Sequence, residues 1–473
     1  MFGPAVAADG TSVMRLEWNA QLRKPQPPQP QREFGTHKAP ATYRIFIVGE
    51  SSAEGVPYGT TLAFSSWLAR RLAAQASEAR WEIVNAALAG SQSWSELIVV
   101  RDAARYEPDL LVVYLGHNEI GTHFSSRGHR SLTALRLALQ TSLGRLNLYH
   151  FLLGFVPTAM QTRLHIDPRD LDRPEEAFAI PRAGSERVYA TAADRALAAE
   201  LYRRRLVEMV RTMRQAGART MLLTLSENFS EFPPVRSVHR TGMRADEKAA
   251  WRRDEREGRT LAPHDCAAAL ARWARAEAID GGFAALEYEM ATCERELGRL
   301  DAARARYRLA SDLDRLSQGA PTSLNDVVRE VATREGATLV DVDAAFVAAS
   351  GPRLVGYDLF VDSHHPNVRG HQIIAAALAE AIRAQGEPLP ATAWRIDAWV
   401  DPDRDAIVAA NPEVPAQEAM CRFVSCAVAR RPCLLDALEE AMRVTHDPAT
   451  HKAAEDAMTA FRPYVASTPR APR

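Results

Sequence analysis

Two serines behind an apolar run, and an aspartate three residues ahead of a histidine, are the groups in this chain that could do acyl chemistry. The first pair lies in Gly49-Glu50-Ser51-Ser52-Ala53-Glu54-Gly55, the second in Phe360-Val361-Asp362-Ser363-His364-His365-Pro366-Asn367. A serine hydroxyl is a poor nucleophile until a base takes its proton, and histidine suits that task near neutral pH. An acid on the far ring nitrogen fixes the tautomer and stabilises the imidazolium. The spacing lets a turn return the Asp362 carboxylate to the His365 ring. A tetrahedral oxyanion needs fixed donors besides. Gly90, in Asn85-Ala86-Ala87-Leu88-Ala89-Gly90-Ser91-Gln92-Ser93, can turn its N–H into a site, and Asn118, in Gly116-His117-Asn118-Glu119, offers a carboxamide. With the Ser51 backbone N–H, these make an oxyanion hole. Ser51 is thus the expected nucleophile, His365 the base and Asp362 its orienting acid. Ser52 and His364 are the neighbouring alternatives, and His371 is expected to be structural.

These residues need elements that deliver them to one place. Tyr43 to Val48 is an apolar, β-branched run that predicts a buried strand. Trp81–Asn85, Leu110–Tyr114, Thr220–Leu225 and Ala337–Val342 predict four more strands. Helical stretches separate them at Leu62–Gln75, Ser95–Tyr106, Leu197–Ala216 and Asn325–Glu335, and Val368–Ile382 follows the histidine block. Short apolar strands alternating with helices predict a three-layer α/β/α sandwich of flavodoxin-like type, with a mostly parallel five-stranded sheet. Open sheets of this kind place their sites at the carboxyl ends of the strands, where all four blocks fall.

The rest of the 473 residues divides around that sheet. Residues 1–42 hold Lys24-Pro25-Gln26-Pro27-Pro28-Gln29-Pro30-Gln31, expected to form a Pro-rich arm that need not pack. The α/β domain is expected over 43–385, interrupted by insertions at 121–195 and 240–320, with a helical extension over 386–473. In the second insertion Ala269, Trp273, Ala276 and Asp280 recur 34 positions later as Ala303, Tyr307, Ala310 and Asp314. That period resembles the tetratricopeptide repeat, although an ordinary helical hairpin would also fit. In the extension, Gln417–Ala429 and Leu434–Arg443 are expected to be amphipathic helices. Asn228 and His239 follow the fourth strand and, with His117, are candidates for substrate contact.

Composition excludes some functions. Lys and Arg total 58 against 59 Asp and Glu, which argues against a nucleic-acid binder. The most apolar long window, Leu146 to Met160, is broken by Asn147, His150 and Pro157 and is too polar to span a bilayer. No secretory signal is evident, and a cytoplasmic protein is expected. Its cysteines, Cys266, Cys293, Cys421, Cys426 and Cys433, show no metal-ligand spacing and are expected to be reduced, with a disulfide in the Cys421/Cys426/Cys433 cluster the less favoured reading.

Taken together, the four blocks resemble those of the SGNH (GDSL-type) hydrolase superfamily, which carries Ser, Gly, Asn and His in this chain order. Glu50 stands where the family usually has Asp, and Glu119 departs in the same way from the Gly-x-Asn-Asp block. The Gly-His-Asn-Glu variant with a helical repeat is similar to a bacterial subgroup bearing tetratricopeptide elements. The resemblance implies a serine esterase needing neither metal nor cofactor, acting on a small-molecule or glycan ester, with a protein partner conceivable at the repeat. An O-acyltransferase acting on a sugar or natural-product hydroxyl is the alternative within the enzyme class. A non-catalytic scaffold using the repeat is the alternative outside it.

Overall fold

The five apolar runs form one parallel sheet in a computed structural model that describes residues 2–7, 11–16, 30–121, 192–428 and 433–466. Its strands are β4 (Thr42–Gly49), β5 (Arg80–Asn85), β6 (Leu110–Tyr114), β7 (Arg219–Leu223) and β8 (Thr338–Val340). Their spatial order is β5-β4-β6-β7-β8, every neighbouring pair parallel. The chain therefore turns to opposite sides after its first sheet strand, and the carboxyl ends of β4 and β6 flank a topological switch point. All eight residues of β4 are buried, as expected for a strand covered on both faces.

Helices cover the two faces. The first four are α1 (Ser51–Glu54), α2 (Phe64–Gln75), α3 (Ser93–Ala103) and α4 (Asn118–Gly121); α5 (Ala192–Gln215) precedes β7. Between β7 and β8 lie α6 (Ala245–Leu261), α7 (Cys266–Ile279), α8 (Ala284–Glu296), α9 (Leu300–Leu313) and α10 (Thr322–Glu335). After β8 come α11 (Val342–Ser350) and α12 (Val368–Gln385). Helix α12 packs against α2, whereas α3 and α10 both pack against α5. Helix α11 is a departure from expectation. Val342 opens a helix capped by Asp341, whose side chain accepts the Ala344 N–H, so the histidine block follows this helix and a loop rather than the strand itself.

The N-terminal segment also needs correction, because it packs. Strands β1 (Phe2–Val6), β2 (Ser12–Leu16) and β3 (Glu33–Phe34) form a three-stranded antiparallel sheet. Phe2 and Phe34 meet each other, Phe46 and Tyr106 with ring centroids 5.1–5.8 Å apart, in tilted or edge-to-face contacts. The Pro-rich run before Pro30 and the insertion over 122–191 lie outside the described residues.

The repeated residues of the second insertion play equivalent parts. Ala269, Trp273 and Ala276 on α7 and Ala303, Tyr307 and Ala310 on α9 are all buried. Asp280 and Asp314 close those two helices, and each turns its carboxylate onto one extended strap. Asp314 accepts the N–H groups of Val235 and Arg236, both at 2.8 Å. Asp280 accepts the Arg240 N–H at 3.1 Å and bonds His239 Nδ1 at 2.8 Å. Cys266 and Cys293 form a disulfide joining α7 to α8, against the expectation of reduced thiols.

The chain continues through α13 (Arg404–Ala410), α14 (Val414–Val428), α15 (Cys433–Val444) and α16 (Pro448–Ala466). The last three share a small apolar core of Ala419, Phe423, Leu438, Ala441, Ala454 and Met458.

Candidate active site

Strand β4 ends in a glycine for a steric reason. A Cβ on Gly49 would lie 2.1 Å from the Tyr114 carbonyl oxygen of β6 and 2.6 Å from Ala53 Cβ. The chain can therefore turn sharply out of the sheet into α1, whose first residue is Ser51. The Ser51 hydroxyl faces His365 Nε2 at 2.7 Å, and His365 Nδ1 faces Asp362 Oδ2 at 2.7 Å. The tight turn anticipated from the Asp-x-x-His spacing is closed by Asp362 Oδ1, which accepts the backbone N–H groups of His364 and His365 at 2.9 and 2.8 Å. Ser52 points elsewhere, donating to the His364 carbonyl oxygen at 3.0 Å.

A carboxylate bound to Nδ1 makes that atom the protonated one, which leaves the Nε2 lone pair toward the serine. Burial alone would raise the Asp362 pKa, but His365, by charge and hydrogen bond, and His364 hold it well below the carboxylate range. Burial, with His365 close by, lowers the His364 pKa to about 3. His117 is pushed well below the usual imidazole range by burial and by both of those histidines. The three rings form a row, with His117–His364 centroids at 4.8 Å and His364–His365 at 4.1 Å.

Glu50, one methylene longer than the family's aspartate, has a clear task. Buried behind the nucleophile turn, it accepts the N–H groups of Gly116, His117 (2.5 Å) and Asn118 (2.8 Å). It thereby ties the Asn118 block to the Ser51 block, and burial pushes its pKa up to about 8 despite those donors. Glu119 similarly accepts the Ser93 N–H at 2.5 Å and hydroxyl at 2.9 Å, with Arg205 beside it. The Gly90 loop is fastened from the other side. Leu88 N–H and Ser91 hydroxyl donate to the Gly49 carbonyl, and the Ala89 N–H donates to Glu54 at 2.6 Å. Glu54 is in turn paired with Arg32. Gly90 itself has φ +74°, a left-handed conformation that disfavours a side chain. Asn118 Nδ2 donates to the Ser91 carbonyl at 3.1 Å, linking the two loops.

Of the substrate-contact candidates, His117 stands beside the catalytic loop, but its Nδ1 accepts the Ala320 N–H at 3.2 Å. Asn228 is engaged with the chain's own backbone. It is buried, donating its side-chain amide to the Asp362 carbonyl (3.1 Å) and its N–H to the Ser363 carbonyl (2.8 Å), and so braces the acid's backbone. His239 is not at the site: it is held by Asp280 and packed between Trp251 and Phe283 in the helical insertion. His371 is structural as expected, buried in α12 and accepting the Phe64 N–H. The tasks of Glu50, Glu54 and, from α14, Ser425 and Cys421 were not legible in the sequence.

A doubly wound sheet with serine, histidine and aspartate in one hydrogen-bonded series at its carboxyl edge has the architecture of an acyl hydrolase. Residues 47–282 match the GDSL-like lipase/acylhydrolase family. The matched stretch takes in Ser51, Gly90 and Asn118 and ends before Asp362. No curated protein matches the chain. Among solved structures it is similar to TesA, at 13% identity and TM-score 0.32, covering 72% of this chain and 98% of that one. An α/β hydrolase enzyme from the metagenome of Lake Arreo, Spain, is 17% identical with TM-score 0.31, covering 72% and 94%. An acetylxylan esterase from Geobacillus stearothermophilus is 13% identical with TM-score 0.31 and the same coverage. Among the described residues no helix is long and apolar enough to cross a membrane.

Proposed function

We propose that this chain cleaves a carboxylic ester through an acyl-enzyme on Ser51. The observation that carries the reading is the pair of 2.7 Å contacts running Ser51 Oγ–His365 Nε2 and His365 Nδ1–Asp362 Oδ2. As Ser51 Oγ bonds to the ester carbon, its proton passes to His365 Nε2, and Asp362 stabilises the imidazolium that forms. The negative charge gathers on the former carbonyl oxygen, for which the Ser51 and Gly90 N–H groups and the Asn118 amide would serve as donors. His365 then returns the proton to the departing alkoxide. In the second half, water gives a proton to His365 and attacks the acyl carbon, and Ser51 leaves with that proton. No step needs a metal or cofactor. The Asp362, His364 and His365 side chains are close enough to hold a cation, but Asp362 and His365 bond each other and the backbone instead.

A fluorophosphonate probe tests the assignment. It should add one phosphonyl mass to the peptide containing Ser51, and Ser51→Ala should lose both the adduct and the hydrolysis of p-nitrophenyl acetate. Labelling that persists in Ser51→Ala would sink the reading. A protein partner at the helical repeat finds no support, because Asp280 and Asp314 are occupied by the chain's own residues 235–240.

A further inference from the structure

Helix α14 carries no recognisable motif, yet its residues reach the reacting groups. Glu418, Cys421 and Ser425 are spaced i, i+3, i+7, which places them on one stripe of the helix. Ala419, Phe423 and Cys426 form the opposite stripe and pack into the core shared with α15 and α16. The first stripe faces the Asp–His pair. The Ser425 hydroxyl donates to Asp362 Oδ2 at 3.0 Å, and Cys421 Sγ donates to the same oxygen at 3.2 Å, lying 3.9 Å from His365 Nδ1. At the other end of the stripe Glu418 accepts the Tyr58 hydroxyl at 2.6 Å and pairs with Arg404. Tyr58 is hydrogen-bonded to Gly55, the cap of the Ser51 helix.

We propose that Ser425 and Cys421 are positioning residues for the reaction, fixing Asp362 by its outer oxygen and setting how strongly it holds the His365 ring proton. The proposal rests on the reading of Ser51, His365 and Asp362 given above. A buried carboxylate must have its lone pairs satisfied, and Oδ1 is already filled by two backbone N–H groups. Oδ2 would otherwise have the imidazole as its one donor and could swing out of the ring plane. Each added donor also draws charge off Oδ2, which weakens its pull on the imidazolium. Cys421 stays a thiol and hence a donor, because burial and Asp362 push its pKa well above the usual range.

The ionisable groups around the pair are His364 in the same loop, His117 after β6, His371 in α12, and Cys421, Glu418 and Arg422 on α14. Burial keeps the three histidines neutral, two with pKa about 3 and His117 well below its usual value. None of these three histidines titrates near neutral pH.

The test uses the full chain labelled with 15N-histidine, with the His365 ring titration followed by NMR and assigned by its loss in His365→Ala. In Ser425→Ala and in Cys421→Ala the midpoint should rise, and rise further in the double variant. Cys421→Ser, which restores a hydroxyl donor, should bring it back toward the wild-type value. The acid limb of kcat/KM on p-nitrophenyl acetate should move upward with it, and kcat in Ser425→Ala should fall about tenfold, the scale of one hydrogen bond to a charged group. A midpoint unmoved in the double variant overturns the proposal, even if activity has dropped. If Ser425→Ala does not fold, Cys421→Ala set against Cys421→Ser makes the same comparison. Should the wild type cleave no ester, a shifted midpoint still supports the positioning role, and the ester reading alone falls.

Discussion

At the scale of single residues, the site divides into groups that react and groups that hold them. Asp362→Asn would present an amide N–H to the imidazole and favour the wrong tautomer, so kcat should fall by roughly 10^4-fold. Asn118→Ala would remove one of the proposed oxyanion donors and should cost about 10^2–10^3 in kcat with KM nearly unchanged. Both are read from steady-state kinetics on an activated ester. The residues of the proposed reaction were legible in the sequence because each follows a strand or lies at a fixed spacing from its partner. Glu50 was visible only as a departure from the usual aspartate. Its purpose depends on amides 66 to 68 positions away, which no local pattern announces. His239 misled for the converse reason: a histidine after a strand looks like a site residue, and only the packing shows Asp280, Trp251 and Phe283 around it.

Among the elements, strand and helix positions in the α/β part could be read to within a few residues, since a buried strand has to be apolar and its covering helices amphipathic. Elements defined by partners rather than composition could not. Strands β1 to β3 are short and flank a Pro-rich run, so the pattern suggested an arm, and it is the Phe2–Phe34–Phe46–Tyr106 contacts that hold them. The helical insertion offers two tests. Asp314→Ala would strip the N–H groups of Val235, Arg236 and Leu316 of their buried acceptor. It should destabilise the protein by roughly 3 kcal/mol in a urea melt, with ester turnover retained at low denaturant. The Cys266–Cys293 bond closes a loop of 27 residues. On the chain-entropy argument its loss costs about 3.5 kcal/mol, so Cys266→Ala should lower the unfolding free energy from a urea melt by about that amount.

Taken as a whole molecule, the protein buries acids that prefer to be neutral. Burial raises both Glu50 and Glu227 to about 8 from an ordinary 4.5. A group whose folded pKa is raised gives its full stabilisation below the unfolded value and loses it as pH climbs through the folded one. The melting temperature should therefore decline between about pH 4.5 and pH 8, and Glu227→Gln should flatten part of that slope in calorimetry. Asp362 acts oppositely, since its folded pKa is depressed and its contribution disappears only as the solution becomes acid.

The hydrogen bonds that close the active site span most of the polypeptide. Ser51 meets His365 across 314 positions, and Tyr58 meets Glu418 across 360. Contacts of such separation incur their loop-closure entropy before they return any energy, which makes them late events in folding. At about 5–20 residues per second, synthesis from Ser51 to His365 occupies roughly 15–65 s. Throughout that interval the nascent chain carries its serine without the groups that would make it reactive.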